Sequence, residues 1–240
     1  MRHRSCGAVP VLPCSGSPCV HPQLRLLAGA MWLLPWFLAA HADDYVAQKD
    51  AALAVRDELA EELRLGADDV WLRARQELAY AVMDLLPTWE GTGWAMNGTT
   101  EVPGEGRVAC GYLVSTVLRD VGLPVERVRL AQQGSEDIIR TLTDEDHVRR
   151  YQRATVASVL RDHEAPGVYV VGLDWHVGML VVTDDEQTFC HASRSQSREV
   201  LCEDAASARS LRSRYTVVGR LSQRALESWL IGTPLPTVTD

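Results

Sequence analysis

The chain has 240 residues, 46% of them hydrophobic and 23% charged, with a formal net charge of -8. That length suits one domain with a leader or helical extension, and the apolar content is enough to bury a sizeable core. A disordered, collagen-like or polytopic membrane chain is excluded, because the one long apolar run lies near the N-terminus.

The charge is unevenly divided. Residues 1–42 hold Arg2, Arg4 and Arg25 and no acid, which leaves 21 basic against 32 acidic residues, a net of -11, in the remainder. An acidic body with no Lys/Arg cluster lacks the electrostatic footprint of a nucleic-acid binder, and anionic membrane surfaces repel it. No nucleic acid and no integral membrane partner is expected.

The first element is a leader over residues 1–42. Leu26 to Ala40 is nearly all apolar, Arg25 precedes it, and Ala40-His41-Ala42 gives a small-x-small string before Asp43 and Asp44. This is the layout of a secretory signal peptide cut after about Ala42, which implies a periplasmic or secreted protein. The alternative is an uncleaved anchor, disfavoured by a span of roughly 15 to 17 residues with Pro35 inside it. Lipidation is not expected, because Cys6, Cys14 and Cys19 all precede the apolar run, and the residues before it suggest a translation start further on, at Met31.

Asp43 to Leu65 carries Val46, Leu53, Val55, Leu59 and Leu63 among charges and Ala and stops at Gly66, as a helix does. A second helix follows Asp68 and Asp69 and runs through Val70, Leu72, Leu78, Val82, Leu85 and Leu86 to Pro87. These two form an N-terminal helical segment over residues 43–88. Trp89 to Arg107 then holds five glycines and one proline, with Trp89, Trp94 and Asn97 interspersed. Tryptophans are rarely left exposed, so this segment is expected to be an ordered loop. Leu113, Val114, Val117, Leu118 and Val121 follow helical spacing, closed by Gly122 and Pro124. A polar connection and a further helix over about 144–162 come next.

Beyond that the pattern changes. Val168 to Leu173 and His176 to Val182 are valine-rich and bounded by turn residues, and shorter strands fit at Thr188 to Ala192, Glu199 to Cys202 and Tyr215 to Val218. Helices first and strands afterwards predict an α+β fold with an antiparallel sheet. Of the three cysteines beyond the leader, Cys190 and Cys202 flank a polar hairpin tip at Ser193 to Ser197. They are either a cross-strand disulfide or two buried thiols, and Cys110 is the candidate free thiol in both cases.

Cys110 opens the apolar helix, so its sulfur is expected at the helix's positive end, where unpaired amides and the macrodipole favour thiolate. Gly111 beside it leaves the backbone open to a substrate. His176 begins one strand and His191 lies on the next, an arrangement that can place both imidazoles on one face of a sheet. One would then act as a base and the other would fix its tautomer and direction. His147 and His163, in charged helical surroundings, are expected to be structural.

Taken together, Cys110 opening a helix, His176-Val177-Gly178-Met179 starting a central strand and His191-Ala192-Ser193 one strand on resemble the NlpC-type cell-wall cysteine peptidases of the papain-like amidase superfamily. The likeness covers roughly Trp94 to Val218. Where that family usually shows Asp-Cys-Ser-Gly, this chain has Ala109-Cys110-Gly111-Tyr112. The resemblance implies a papain-like fold over residues 89–240, with N-terminal helices and the nucleophile's helix packed on an antiparallel sheet. It also implies Cys110 as nucleophile, His176 as general base and acid, and His191 as the residue orienting His176. Trp94, Asn97, Gly111, Tyr112 and Trp175 would line the substrate site.

The implied reaction is hydrolysis of an amide bond in peptidoglycan stem peptides or another peptide-like substrate, through an acyl-enzyme and without a metal or other cofactor. Two other classes stay open: a catalytically silent exported binding module of the same fold, and a structural protein holding zinc through Cys110, Cys190, His176 and His191.

Overall fold

Strand alternation divides the apolar residues of the C-terminal half between two faces of one sheet. Val168 and Val170, then Val177, Met179 and Val181, then Cys190 and Ala192 join one buried cluster. Tyr169, Val171 and Leu173, then Leu180 and Val182, then Phe189 join a second. The computed structural model describes residues 34–238 apart from 68, 154 and 195, and of residues 34–43 only the backbone path.

The sheet has six strands, β3 (Val148–Gln152), β4 (Gly167–Leu173), β5 (His176–Val182), β6 (Gln187–Ala192), β7 (Val200–Asp204) and β8 (Tyr215–Arg220), in the order β3-β8-β4-β5-β6-β7. All neighbours are antiparallel. A separate two-residue ladder joins β1 (Gly93–Trp94) to β2 (Arg107–Val108) inside the glycine-rich segment. That segment is ordered as expected, with Trp89 and Trp94 both buried.

Seven α-helices accompany the sheet among the described residues: α1 (Leu34–Arg64), α2 (Val70–Leu85), α3 (Cys110–Asp120), α4 (Arg127–Ala131), α5 (Ser135–Leu142), α6 (Val156–Asp162) and α7 (Gln223–Ile231). The protein is therefore α+β with an antiparallel sheet. Helix α2 buries Val70, Ala74, Leu78, Val82 and Leu85, a stripe at helical spacing, against the same cluster that receives Val114 and Val117 of α3. The N-terminal helices thus share one core with the strands. Helix α7 starts under a Ser222 cap, whose Oγ accepts from the Ala225 amide at 3.2 Å, and ends at Gly232, whose φ of 80° suits a residue without a Cβ.

Three expectations change. The leader expected over 1–42, with Cys6, Cys14 and Cys19, lies outside the described residues as far as residue 33. From there the helix expected to start at Asp43 begins at Leu34 and runs through Ala40-His41-Ala42. The Leu/Trp/Phe/Ala run is helix-compatible, and Pro35 falls in the first turn, where its missing N–H costs nothing. No helix among the described residues is long and apolar enough to cross a membrane.

The polar connection between Val125 and Thr143 holds α4 and α5. The helix expected over 144–162 is instead a 3-10 turn (Glu145–His147), the edge strand β3 and the short helix α6. Strand β3 buries Val148 but leaves three of its five residues exposed, so its charges mimic a solvated helix face.

Helix α3 is held at its C-terminal end and at its middle. At its C-terminal end, Tyr45 of α1 donates a hydrogen bond to the buried Asp120 carboxylate. The Trp229 indole N–H of α7 donates to the Val121 carbonyl at 2.8 Å. At its middle Arg127 reaches back from α4: Nε donates to Thr116 Oγ1 at 2.7 Å, and one terminal nitrogen donates to the carbonyls of Thr99 and Thr100 at 2.8 and 3.0 Å. This guanidinium ties the glycine-rich segment to α3.

Replacing Trp229 with Phe leaves the Val121 carbonyl buried without its donor, and urea unfolding should register a loss of about 1–3 kcal/mol. A change below about 0.5 kcal/mol, ordinary for surface substitutions, would show that this bond does not hold α3.

Candidate active site

A cysteine placed where a loop turns into a helix gains amides that the helix itself cannot use. Ala109 has extended backbone (φ -87°, ψ 159°) and α3 begins at Cys110. The backbone N–H groups of Val177, Gly111 and Cys110 lie around the half-buried sulfur. Val177 follows His176, so β5 brings its first residue to the mouth of α3. Cys110, Gly111, Trp175 and His176 line one cavity of about 330 Å³, together with Gly134 and Ser135 at the start of α5.

The two imidazoles meet. His176 Nε2 and His191 Nδ1 lie 2.8 Å apart, with the rings at 78°. On the other side of His191, Nε2 faces Ser210 Oγ at 3.0 Å and Glu203 Oε1 at 3.4 Å. A carboxylate only accepts, so the proton of neutral His191 sits on Nε2 and its Nδ1 is the acceptor for His176. His176 therefore carries its proton on Nε2, and its Nδ1 keeps a free lone pair. Glu203 and Ser210 complete a chain from carboxylate to base that no sequence pattern marks, because β7 and a distant 3-10 turn supply them.

Packing fixes His191 in place. The Phe189 ring stacks on it at 5.1 Å between centroids, and that ring occupies the space where a Cβ on Gly178 would stand, 2.6 Å from Phe189 Cζ. Glycine two residues after His176 is thus what lets Phe189 support His191. Cys190 and Cys202, directly paired across β6 and β7, form a disulfide. It joins the neighbour of His191 to the neighbour of Glu203, and it removes Cys190 from the expected zinc set. Among the described residues, no group of three or more His, Cys, Asp or Glu side chains is arranged to hold a metal ion.

Electrostatics depart from the thiolate expected at a helix start. Burial pushes the Cys110 thiol above its ordinary range, and nearby backbone amides offset this only in part. His176 is pushed down to about 3, first by burial and then by His191. His191 is lowered by burial against the opposing pull of Glu203. Both shifts favour the uncharged forms, a thiol and a neutral imidazole.

The structure brings Cys110, His176 and His191 together and separates the five expected substrate-lining residues. Gly111 and Trp175 line the cavity, and Trp175 is 90% exposed. Gly111 has a packing reason as well, since a Cβ there would lie 2.3 Å from the Ala131 carbonyl oxygen at the end of α4. Tyr112 does not line the cavity: its ring lies under the Arg127 guanidinium at 4.9 Å, and its hydroxyl accepts from Gln132. Trp94 is buried in β1, and Asn97 is exposed on the glycine-rich segment.

His147 pairs with Asp146 on the surface. His163 is buried, stacked on Tyr169 at 5.2 Å, and its Nε2 has no hydrogen-bond partner. Comparison with protein-family models, with curated proteins and with solved structures finds no match for this chain.

Buried neutral imidazoles make stability depend on acid. Burial holds His163 at about 4, below the ordinary value of about 6.5, so between those values the unfolded chain binds more protons than the folded one. The stability this group contributes, about 3 kcal/mol, is present above pH 6.5 and lost as pH falls through 4. Urea unfolding at pH 7 and pH 4 should show that fall, reduced in His163→Gln. An equal fall in both proteins would assign the acid sensitivity elsewhere.

Proposed function

We propose that this chain is an exported cysteine hydrolase that cleaves an amide bond, with Cys110 as nucleophile, His176 as general base and acid, and His191 as the residue that orients His176. The observation that carries the reading is the single cavity lined by Cys110 and His176, beside which His191 bonds to His176 Nε2 and so sets the tautomer of the base. The geometry suits a papain-like fold, in which a helix-start thiol faces a histidine on an adjoining sheet.

The reaction runs in two halves. As Sγ attacks the amide carbonyl, His176 Nδ1 takes the thiol proton, and the backbone N–H of Cys110, free in the first helical turn, faces the developing oxyanion. The imidazolium is stabilised through Nε2 by His191, whose own Nε2–H is held by Ser210 and Glu203. Collapse breaks the C–N bond, His176 returns its proton to the leaving amine, and a thioester remains on Cys110. Water then attacks that thioester with Nδ1 as base, releasing the acid and restoring the thiol.

The substrate class follows from the motif resemblance to NlpC-type cell-wall peptidases: an amide in a peptidoglycan stem peptide. A periplasmic or secreted location is supported by the N-terminal apolar run and by the Cys190–Cys202 disulfide, since such bonds persist in oxidising compartments. A second reading, a binding module of the same fold without catalysis, draws on the protonated resting thiol.

Digestion of purified muropeptides followed by mass spectrometry separates the two. Wild-type protein should release stem-peptide fragments, and Cys110→Ala should be slower by two or more powers of ten, on the order of the loss expected when a nucleophile and its base are uncoupled. Equal cleavage by both proteins would remove Cys110 from the mechanism. Binding of muropeptides without cleavage would favour the binding module.

A further inference from the structure

A second cavity, about 410 Å³, adjoins the first and shares Leu173, Asp174, Trp175 and His176 with it. Its other walls carry Arg194, from the loop between β6 and β7, with Arg209 and Arg212, from the 3-10 turn Arg209–Leu211 and the residue after it. All three guanidinium-bearing side chains are exposed, and none has an ion-pair or hydrogen-bond partner among the described residues. By contrast, Arg73, Arg119 and Arg150 each pair with a carboxylate.

The one acid in this cavity, Asp174, is already engaged. Its carboxylate accepts from Ser213 Oγ at 2.8 Å and from the amides of Arg214 and Tyr215 at 3.0 and 3.1 Å. A chain of net charge -8 thus concentrates three uncommitted cations in one hollow beside His191. Unpaired arginines spaced around a concave surface repel one another, and an anion relieves that repulsion while accepting forked hydrogen bonds.

We infer that this cavity is a subsite for a carboxylate-bearing residue of a peptide, held by Arg194, Arg209 and Arg212. An extended peptide crossing Trp175, the aromatic residue common to both cavities, places the carboxylate among the arginines and a backbone amide over Cys110. The position of the scissile amide rests on the hydrolase reading; the anion subsite does not. A peptide fits better than a nucleic acid, because a long polyanion would leave the hollow and run along an acidic surface.

The test uses Cys110→Ala protein, so it needs no turnover. Fluorescence anisotropy would follow neutral-dye-labelled Ala-Glu and Ala-Gln repeat hexapeptides, with and without Arg194→Gln, Arg209→Gln and Arg212→Gln combined, and with Arg140→Gln as a control outside the cavity. The glutamate peptide should bind at least about tenfold more tightly than the glutamine peptide. That preference should vanish in the triple variant and persist in Arg140→Gln. Equal affinity for the two peptides, no measurable binding of either, or an undiminished preference in a triple variant that unfolds like its parent would overturn the proposal. So would a single-stranded thymidylate oligomer that binds more tightly than the glutamate peptide. Failure of the wild type to cleave any amide would sink the hydrolase reading and leave these binding results standing.

Discussion

The hydrogen bond between His176 Nε2 and His191 Nδ1, at 2.8 Å, sets the chemistry available to the rest of the site. Two buried neutral imidazoles can share such a bond only if one donates and the other accepts. Glu203 decides which, because it can only accept, and the consequence passes along the chain to leave the lone pair of His176 on Nδ1. Without Glu203 and Ser210 beyond it, either tautomer of His191 would serve, and His176 would be free to present N–H instead of a base. His191 therefore acts through its far nitrogen as much as its near one, since what Nε2 meets decides what Nδ1 offers to His176.

Keeping that chain aligned is a packing problem, and the surrounding structure answers it from several directions. The β6/β7 pair carries His191 and Glu203 side by side with the two halves of the disulfide. Phe189 supports the His191 ring and needs Gly178 to do so. On the other wall of the cavity, α3 is secured by Tyr45 and Trp229 at one end and by Arg127 at its middle. Gly111 lets the Ala131 carbonyl approach the start of α3, which sets α4 against the helix that bears the sulfur. The N-terminal helices are part of this support, since Tyr45 belongs to α1.

Much of this was legible in the sequence because it follows from short-range pattern. A glycine-rich segment before an apolar run at helical spacing places Cys110 at a helix start, and valine-rich stretches bounded by turn residues give β4 and β5. What escaped depends on tertiary contact. Strand β3 is an edge strand with one face in solvent, so Arg149 and Arg150 disguise it as helix surface. Helices α4 and α5 are five and eight residues long, too short for periodicity to stand out from a polar connection. Glu203, Ser210 and Arg127 meet their partners across loops, and the stacking of Arg127 on Tyr112 joins residues fifteen positions apart that no short pattern links. The protonation of Cys110 turns on how much water burial removes, a quantity that spacing does not encode.

Convergence of a sulfur and a base in one cleft is the claim on which the functional account stands, and alkylation measures it without knowledge of the substrate. Rates of Cys110 modification by iodoacetamide, followed against pH in wild-type and His176→Asn protein, report whether the imidazole draws on the thiol's proton. The account predicts that near pH 7.5 the variant reacts at least about tenfold more slowly, its rate rising only on the alkaline side where the buried thiol ionises unaided. Superimposable pH profiles for the two proteins would contradict it.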